Sequence, residues 1–370
     1  MHSARHLDSS AQAVADSLRR RGREVWPLRR RGADLGHVVT VHRDLRDEQA
    51  GQAAWAAGEP IFLPGILGDA PARSGQAIDA ALLMFERLRA GGEFLDEVEA
   101  RVGDDDHLRY AGSTVDRDDP REVERVFVNA EVGDAVVAED LWAKLAWITT
   151  QEADDSLRIR FSNGLDQQEQ WLTTNEQTVS WVDQFALRTF PECQAVLASA
   201  PLRRRLDRWI ARPYRLSERI IYNNAPDGGA VFHHDAEPNQ LGVVYSQLEG
   251  RTAWFTMAKP RLARLLVRFG LPSMRHAIAA MDSGCDAELH EILNRDQDFA
   301  AALAANGGLF LLRAGDAIVL PSPSFHDCAW HSVLAIGDQP SLAHSYGIFG
   351  RGPGYESAGD PWLQSGHSTM

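Results

Sequence analysis

Residues 232–237 read Phe-His-His-Asp-Ala-Glu and contain the residue types best suited to bind a metal ion. His233 and Asp235 are two positions apart, and in an extended strand the side chains at i and i+2 project from the same face. One imidazole and one carboxylate can therefore reach the same ion. Iron(II) oxygenases need two histidines and one carboxylate on one face, which leaves positions for oxygen and a co-substrate. Because His-x-Asp pairs also recur by chance, a second histidine is needed.

A second group of motifs lies near the end of the chain. Residues 315–321 read Gly-Asp-Ala-Ile-Val-Leu-Pro, which indicates a turn, an apolar strand and another turn. Residues 330–333 read Trp-His-Ser-Val and are followed by a Gly337-Asp338 turn, so a hairpin with a returning strand is predicted. The missing imidazole comes either from His331 in this motif or from His326 shortly before it.

In this order, the motifs of residues 216–350 resemble those of the JmjC-type, cupin-like iron(II)/2-oxoglutarate-dependent dioxygenases. That family shows His-x-Asp, a following Asn, a strand ending Gly-Arg-Lys-x-Trp, a Gly-Asp turn, a Pro and a Trp-His-x-Val element. The matching residues are His233, Asp235, Asn239, Gly250-Arg251-Thr252-Ala253-Trp254, Gly315-Asp316, Pro321 and Trp330-His331-Ser332-Val333. Residues 58–63, Gly-Glu-Pro-Ile-Phe-Leu, are similar to the strand that often opens such domains. The resemblance implies a double-stranded β-helix, an Fe(II) cofactor and 2-oxoglutarate as co-substrate.

The third metal ligand has two candidates. His326 lies ten residues after Asp316, the spacing usual in the family, whereas His331 lies fifteen after it. We favour His331, because a Trp precedes it, a Val follows two residues later and the hairpin turn lies at the expected distance. His326 is then a residue that supports the ligands or faces the substrate.

The anchor for 2-oxoglutarate is not evident in the sequence. The family's lysine position holds Thr252, and a small hydroxyl cannot form the charge-assisted pair that fixes a dicarboxylate. Lys259 lies seven residues further on, which places it on the opposite face of the strand unless a bulge intervenes. Arg251 and Arg313 are further cationic candidates, although the sequence favours a surface position for each.

Other polar residues near the motifs have both a functional and an ordinary interpretation. Tyr222 and Asn224 share a strand face that leads toward His233, so they line the pocket or are plain sheet residues. His234 alternates with its neighbours and is predicted to point away from the metal. Glu237 replaces Asp235 as ligand only if the strand bulges. A zinc site at Cys328 and its neighbouring histidines lacks the second ligand cluster that structural zinc requires.

The elements predicted around these motifs differ between the two halves of the chain. In the first half we expect helices at 10–31, 76–101 and 178–210, strands at 58–65 and 157–161, and a loop at 103–120. In the second half short β-prone runs separated by turn residues predict strands at 220–222, 231–232, 241–245, 252–256, 309–312, 317–320, 329–334 and 342–349. A helical insertion is predicted at 260–304.

These elements predict an α+β protein with a double-stranded β-helix core, also described as jelly-roll or cupin-like, and a helix-rich N-terminal half. Residues 1–50 are interpreted as an N-terminal extension and 51–215 as a helix-rich region packing on the core. Residues 216–350 are interpreted as the metal domain and 351–370 as a tail.

Composition restricts the class of partner and the cellular compartment. A net charge of −14 over 370 residues disfavours nucleic acid and anionic membranes, although arginines concentrate at 19–31 on a surface predicted to be solvated. Three scattered cysteines, no apolar signal at residues 1–10 and no long apolar stretch predict a cytoplasmic protein.

The function that the sequence predicts is oxidation of a small-molecule or peptidyl substrate by an iron(II)/2-oxoglutarate-dependent dioxygenase, with hydroxylation as the default outcome. Two alternatives stay open. One is a keto-acid-independent cupin-like metalloenzyme (an oxygenase, isomerase or lyase), which the missing lysine favours. The other is a degenerate JmjC-like binding module. The sequence also leaves a homodimer open.

Overall fold

The computed structural model of the chain describes residues 4–7, 12–40, 48–103, 105–115, 120–150, 154–164, 176–237 and 239–350. The strands are β1 Ala4–Leu7, β2 Val25–Arg30, β3 Ala33–Thr40, β4 Ile61–Leu63, β5 Leu108–Thr114, β6 Glu122–Val132, β7 Ala135–Trp147, β8 Leu157–Asn163, β9 Tyr214–Asn224, β10 Gln240–Glu249, β11 Arg251–Ala258, β12 Leu309–Arg313, β13 Ala317–Pro321, β14 Ala329–Ala335 and β15 Ser341–Gly350. The helices are α1 Gln12–Arg20, α2 Glu48–Ala56, α3 Ala70–Arg73, α4 Gly75–Arg89, α5 Phe94–Val102, α6 Glu176–Thr189, α7 Cys193–Leu197, α8 Ala200–Ile210, α9 Lys259–Val267, α10 Met274–Asp282, α11 Ala287–Arg295 and α12 Gln297–Ala305.

Two antiparallel sheets enclose the central core. The large sheet has nine strands in the order β4-β13-β10-β15-β9-β8-β7-β6-β5, and the small sheet has the order β12-β11-β14. Val243 and Tyr245 of the large sheet share a buried apolar cluster with Trp254 and Val333 of the small sheet. The two sheets therefore pack face to face, and their facing surfaces form the walls of any site between them. A third sheet, β1-β3-β2, is built by the N-terminal segment.

Helices α5 and α6 cover one face of the far half of the large sheet. In β8 the apolar residues Leu157, Ile159 and Phe161 alternate with Arg158 and Arg160, and the apolar set is buried. Because side chains alternate between the two faces of a strand, the arginines project from the opposite face. The apolar face packs on α6, as the edge-to-face contact of Phe161 with the ring of Phe185 illustrates, with 5.1 Å between ring centroids.

The predicted helical insertion at 260–304 is confirmed as four helices, α9 to α12, which pack on the outer face of the small sheet. Leu262, Leu266 and Phe299 of the insertion share one buried cluster with Leu311 of β12. Two of the helices begin at aspartate caps, where Asp286 accepts from the amide of Leu289 and Asp296 accepts from that of Phe299.

The helix predicted at 10–31 is wrong in its second half. Helix α1 ends at Arg20, where Gly22 adopts a φ of +70° and the Arg23 amide donates to the Leu18 carbonyl, 3.0 Å away. This bond reaches back over the last turn and satisfies a free carbonyl, as is usual at a helix end closed by glycine. The chain then continues as the hairpin β2–β3.

The region predicted to be helix-rich contains three more strands of the large sheet than expected, β5, β6 and β7. The predicted loop at 103–120 is wrong, because residues 108–114 form the edge strand β5, which pairs with β6. Most side chains of β5 are exposed, so no alternating apolar pattern marks it. The helix predicted at 76–101 is two helices, α4 and α5, separated at Gly91 and Gly92. No helix in the described part of the chain is long and apolar enough to cross a bilayer.

Candidate metal centre

His233, Asp235 and His331 converge at one end of the space between the sheets. Their ligand atoms all lie within 4.8 Å of one another. Nε2 of His233 is 3.3 Å from Oδ1 of Asp235, and Nε2 of His331 is 3.4 Å from Oδ2 of the same carboxylate. The side chains of His233 and Asp235 are 38% and 31% exposed, whereas that of His331 is 4% exposed. The three donors therefore form a shallow cluster that is open on one side.

The backbone positions these histidines through a single pair of hydrogen bonds. The amide of His233 donates to the carbonyl of His331 over 2.9 Å, and the reverse bond is 2.8 Å long. His331 belongs to β14, but His233 makes only this isolated bridge, so the strand predicted at 231–232 is wrong. The bridge nevertheless extends the edge of the small sheet and places the two imidazole rings 4.3 Å apart.

Neighbouring groups fix the orientation of both imidazoles. Nδ1 of His233 lies 2.8 Å from the carbonyl of Val231, so this nitrogen carries the proton and donates. The lone pair is then on Nε2, which faces Asp235, as in metal-bound histidines whose second nitrogen is held by a carbonyl. The ring of His331 stacks on Trp254 with 5.2 Å between centroids and an interplanar angle of 20°.

The charges of the cluster favour a metal-binding protonation state. Burial alone would raise the pKa of Asp235, but His331 and His233 hold it well below its usual range. Burial and the neighbouring His233 lower the pKa of His331 to about 3. Burial opposes a charge on His233 too, yet Asp235 raises the pKa of this imidazole. At neutral pH the site thus offers an ionised carboxylate and a neutral imidazole at His331, the forms in which these groups bind metal.

A cavity opens directly above the three residues. It encloses about 330 Å³ of empty space, including the part that is open to solvent. Besides the cluster, its walls are formed by Tyr222, Asn224, Ala230, Val243, Tyr245, Trp254, Val333 and Ser345. The walls therefore combine aromatic and aliphatic surface with a few hydroxyl and amide groups, a composition common in small-molecule sites.

The other residues that the sequence singled out for the pocket lie in different places. Tyr222 and Asn224 line the cavity, whereas Asn239 occupies a turn with a φ of +61° outside the lining. The hydroxyl of Thr252 is buried and donates to Oε1 of Gln247 over 2.7 Å. Lys259 is the first residue of α9.

The ammonium of Lys259 is engaged by Asp282 of the helical insertion and by Phe325 of the loop before β14. It binds Asp282, donates to the Phe325 carbonyl over 3.1 Å and lies 3.8 Å from the centroid of the Phe325 ring. Arg251, another predicted cation, stacks over the ring of Trp26 at 4.4 Å. Neither residue contributes to the cavity lining.

The remaining histidines near the cluster do not join it. His326 is exposed and contacts the ring of Phe325, with 6.0 Å between centroids. His234 packs against Phe325 and Trp330 instead of the cluster. Burial and the charge of Lys259 lower the pKa of His234 to about 4, so it is neutral.

Two arginines of the N-terminal hairpin support the metal centre, a role that the sequence did not suggest. Arg30 donates to Oγ of Ser332 over 2.9 Å and to the carbonyl of Val333 over 3.1 Å, next to His331. Arg31 forms a buried ion pair with Asp154 and donates to the carbonyl of Gly229 over 2.6 Å. The arginine run at 19–31 was interpreted as solvated, and only the long-range partners of the last two residues reveal this function.

Asp154 completes this contact, which we call the Asp154 clamp (Arg31, Asp154 and Gly229). One carboxylate oxygen accepts from the amide of Ser156 over 3.1 Å and the other from that of Gly229 over 3.4 Å. A Cβ atom at Gly228 would lie 2.2 Å from Oδ1 of Asp154, so only glycine allows this approach. The clamp holds the turn that leads into His233.

Comparisons with known proteins give distant structural likenesses. No family model and no curated protein matches the sequence. The structure is similar to an oxidoreductase of the 2OG-Fe(II) oxygenase family from Burkholderia pseudomallei, with 12% identity, coverage of 84% of this chain and 93% of that chain, and a TM-score of 0.34. It is also similar to the Escherichia coli ribosomal oxygenase YcfD, with 14% identity, coverage of 73% and 45%, and a TM-score of 0.26.

A second structure of E. coli YcfD shows 16% identity, coverage of 74% and 52%, and a TM-score of 0.27. The chain thus matches about half the length of the YcfD chains. Because identity and TM-score are low, the function has to be inferred from the site itself.

Proposed function

We propose that the chain is a mononuclear non-haem iron(II) oxygenase whose metal is held by His233, Asp235 and His331. The observation that carries this proposal is the convergence of two imidazoles and one carboxylate on one face, with the opposite side open to a cavity. Such a donor set suits a borderline divalent ion and leaves coordination positions free. Bound iron(II) would supply the activation of dioxygen for oxidation of a substrate carbon.

The chain's own residues would orient the ligands and the substrate. The Val231 carbonyl fixes the tautomer of His233, and Trp254 restrains the ring of His331. The apolar walls of the cavity exclude water from the substrate, while the hydroxyls of Tyr222 and Ser345 provide hydrogen bonds. We propose that the substrate is a small molecule or an extended peptide side chain that reaches this cavity.

The strand order supports a double-stranded β-helix for this site. Counted from β9, the segments are β9, the bridge at His233, β10, β11, β12, β13, β14 and β15. In the large sheet β9, β15, β10 and β13, which are the first, eighth, third and sixth segments, lie side by side. In the small sheet β12, β11 and β14, which are the fifth, fourth and seventh segments, lie side by side. The second segment joins this sheet through the bridge between His233 and His331. This alternation between two sheets is what a jelly-roll of eight strands requires.

Two observations bear on the co-substrate. The resemblance to 2-oxoglutarate dioxygenases favours 2-oxoglutarate, but no lysine or arginine is among the described residues that line the cavity. Thr252, at the family's lysine position, is buried, and its hydroxyl donates a hydrogen bond to Gln247. This observation favours a second candidate, an iron enzyme of the same fold that uses no keto acid.

Anaerobic iron(II) titration followed by metal analysis tests the central proposal. Wild-type protein should bind one equivalent, and His233→Ala or Asp235→Ala should weaken binding by about 100-fold or more, since even residues that only support metal ligands contribute about 10–100-fold. His234→Ala is the matched control, because it removes an adjacent imidazole that points elsewhere. Unchanged iron affinity in the ligand variants would remove the metal site and leave the binding-module alternative.

Oxygen-dependent succinate release then separates the two candidate enzymes. A keto-acid enzyme should convert 2-oxoglutarate to succinate under air and show a visible charge-transfer band with iron(II) and 2-oxoglutarate without air. Iron-loaded protein that shows neither signal with 2-oxoglutarate would support the keto-acid-independent candidate.

A further inference from the structure

The large sheet brings one arginine to the metal cavity from outside the eight segments of the proposed jelly-roll. Arg158 of β8 pairs directly with Tyr222 of β9 across the antiparallel ladder. Paired residues project from the same face of a sheet. Tyr222 lines the cavity together with His233 and Asp235, so the guanidinium lies on the cavity side.

The charge of Arg158 is in electrostatic contact with the site. Burial lowers the pKa of Arg158, whereas Tyr222 and Asp235 raise it. The same arginine also opposes the protonation of His233. Its pairing with Tyr222, which lines the cavity, places Arg158 where it can act on a ligand above the metal cluster.

Unlike three other buried arginines, Arg158 has no acidic partner among the described residues. Arg125 pairs with Glu122, Arg219 with Asp183 and Arg31 with Asp154. Within the described residues, no carboxylate lies at ion-pair distance from Arg158. Its side chain forms a hydrogen bond with the hydroxyl of Tyr222. A partly desolvated guanidinium without a counter-ion costs free energy, and an anionic ligand would offset that cost.

The cations suggested by the sequence do not fill this role. Lys259 is bound by Asp282 and Phe325, and Arg251 is stacked on Trp26. Arg313 is exposed at the end of β12. Among these cations and Arg158, only Arg158 faces a residue that lines the cavity.

We propose that Arg158 and Tyr222 form an anion-binding subsite beside the metal centre, and that its ligand is the carboxylate of a small organic acid. A planar guanidinium matches a carboxylate through two parallel hydrogen bonds. Burial, followed by the charge of Asp235, raises the pKa of Tyr222, so its hydroxyl stays protonated and can donate to the same anion. The carboxylate belongs either to a keto-acid co-substrate or to the substrate. The subsite deepens the proposed function and rests on it for the position of the reactive centre.

Binding of 2-oxoglutarate and succinate, measured by isothermal titration calorimetry, tests the subsite without turnover. Metal-free and Mn(II)-loaded protein are titrated, with dimethyl succinate as the uncharged analogue. Wild-type protein should bind the acids and not the ester, and binding should weaken as salt is added. Arg158→Gln should weaken acid binding tenfold or more, and Tyr222→Phe by a smaller factor.

Two further variants separate the charge of Arg158 from its shape and control for the loss of an arginine. Arg158→Lys retains the charge without the planar fork and should give an intermediate affinity. Arg313→Gln removes an exposed arginine and should bind the acids like wild type. Melting temperatures of all variants exclude misfolding as the cause. Equal affinity of wild type and Arg158→Gln would overturn the subsite, as would the absence of saturable acid binding by wild type in both metal states.

The source of the carboxylate follows from the Mn(II)-loaded titrations. Much tighter binding of 2-oxoglutarate than of succinate would assign the subsite to a keto acid, whereas equal binding would assign it to a substrate carboxylate. Failure of the proposed function is distinguishable, because it appears as the loss of iron(II) binding while Arg158-dependent acid binding persists. Iron(II) binding without Arg158-dependent acid binding would refute the subsite alone.

Discussion

Two histidine–carboxylate clusters lie on the two faces of strand β15. Ser345 lines the cavity above the metal cluster, while the preceding residue, His344, projects to the opposite face. There Nδ1 of His344 lies 3.1 Å from Sγ of Cys193, and Nε2 lies 3.2 Å from Oε1 of Glu192. These three residues are at most 1% exposed. Both nitrogens of His344 are therefore occupied, and no face of the cluster is open to a ligand.

The two clusters also differ in the charge of their histidines. Burial would lower the pKa of His344, but Cys193 and Glu192 raise it to about 10, so the imidazole is charged. In the metal cluster two histidines share the single carboxylate of Asp235, and the pKa of His331 falls to about 3. Cys193 and Glu192 thus charge the single histidine between them, whereas the one carboxylate of Asp235 leaves one of two competing histidines neutral. The second arrangement provides a lone pair for a metal.

The largest difference is expected when the distal histidine is removed. His331→Ala should lose stoichiometric iron(II) binding and all turnover, because it removes one of three donors. His326→Ala should keep iron binding, since His326 is exposed and lies outside the cluster. Anaerobic titration of both variants measures this.

The sealed cluster gives the matched control for that experiment. His344→Gln also removes a buried histidine from beside a carboxylate, but it should keep one equivalent of iron. The reverse result, with iron lost in His326→Ala and kept in His331→Ala, would identify His326, at the spacing usual in the family, as the third ligand. It would also contradict the arrangement of His331 with His233 and Asp235.

An effect of intermediate size is expected from the Asp154 clamp. Asp154→Ala should reduce the free energy of unfolding by about 3–5 kcal/mol, because it removes the carboxylate of a buried ion pair. Iron affinity should fall as well, since the clamp holds the turn before His233. Urea unfolding and iron titration measure the two effects.

Asp69→Ala is the control for the clamp, because its pair with Arg73 is also arginine–aspartate but is exposed, at 66% and 74% for the two side chains. It should change the free energy of unfolding by less than about 1 kcal/mol. The clamp would lose its assigned role if Asp154→Ala weakened the fold and left iron affinity unchanged.

The local signals of the sequence predicted the helical insertion and most strands of the second half, because each of these strands is a short β-prone run between turn residues. The same signals failed at β5, an exposed edge strand without alternation, and at residues 231–232, where one bridge replaces a strand. Arg158 and Arg31 could not be assigned from the sequence, since their partners Tyr222 and Asp154 are distant in the chain. Sheet order and long-range pairing determine these contacts.

The smallest expected effect concerns the charge on His344 and the pH dependence of stability. A histidine with a pKa of about 10 in the folded protein and about 6.5 in the unfolded chain binds its proton more tightly when folded. Its contribution to stability is therefore complete below about pH 6.5 and is lost as the pH rises toward 10. Between pH 7 and pH 9 the free energy of unfolding of the wild-type protein should fall by about 1–2 kcal/mol because of His344. This value is smaller than the full pKa difference gives, because His344 is coupled to Cys193 and Glu192.

Urea unfolding of wild type and His344→Gln at pH 7, 8 and 9 measures this loss. The variant should be less stable at pH 7 but should show a flatter decline, because glutamine does not titrate. Cys193→Ala retains the contact with Glu192 and should keep part of the slope. Tyr346, whose hydroxyl donates to the Cys193 carbonyl, and Arg219 face the same cluster and are unchanged in all three proteins. Parallel declines in wild type and His344→Gln would mean that His344 is neutral in the folded protein. The contrast between a charged, sealed histidine and a neutral, ligating one would then fail.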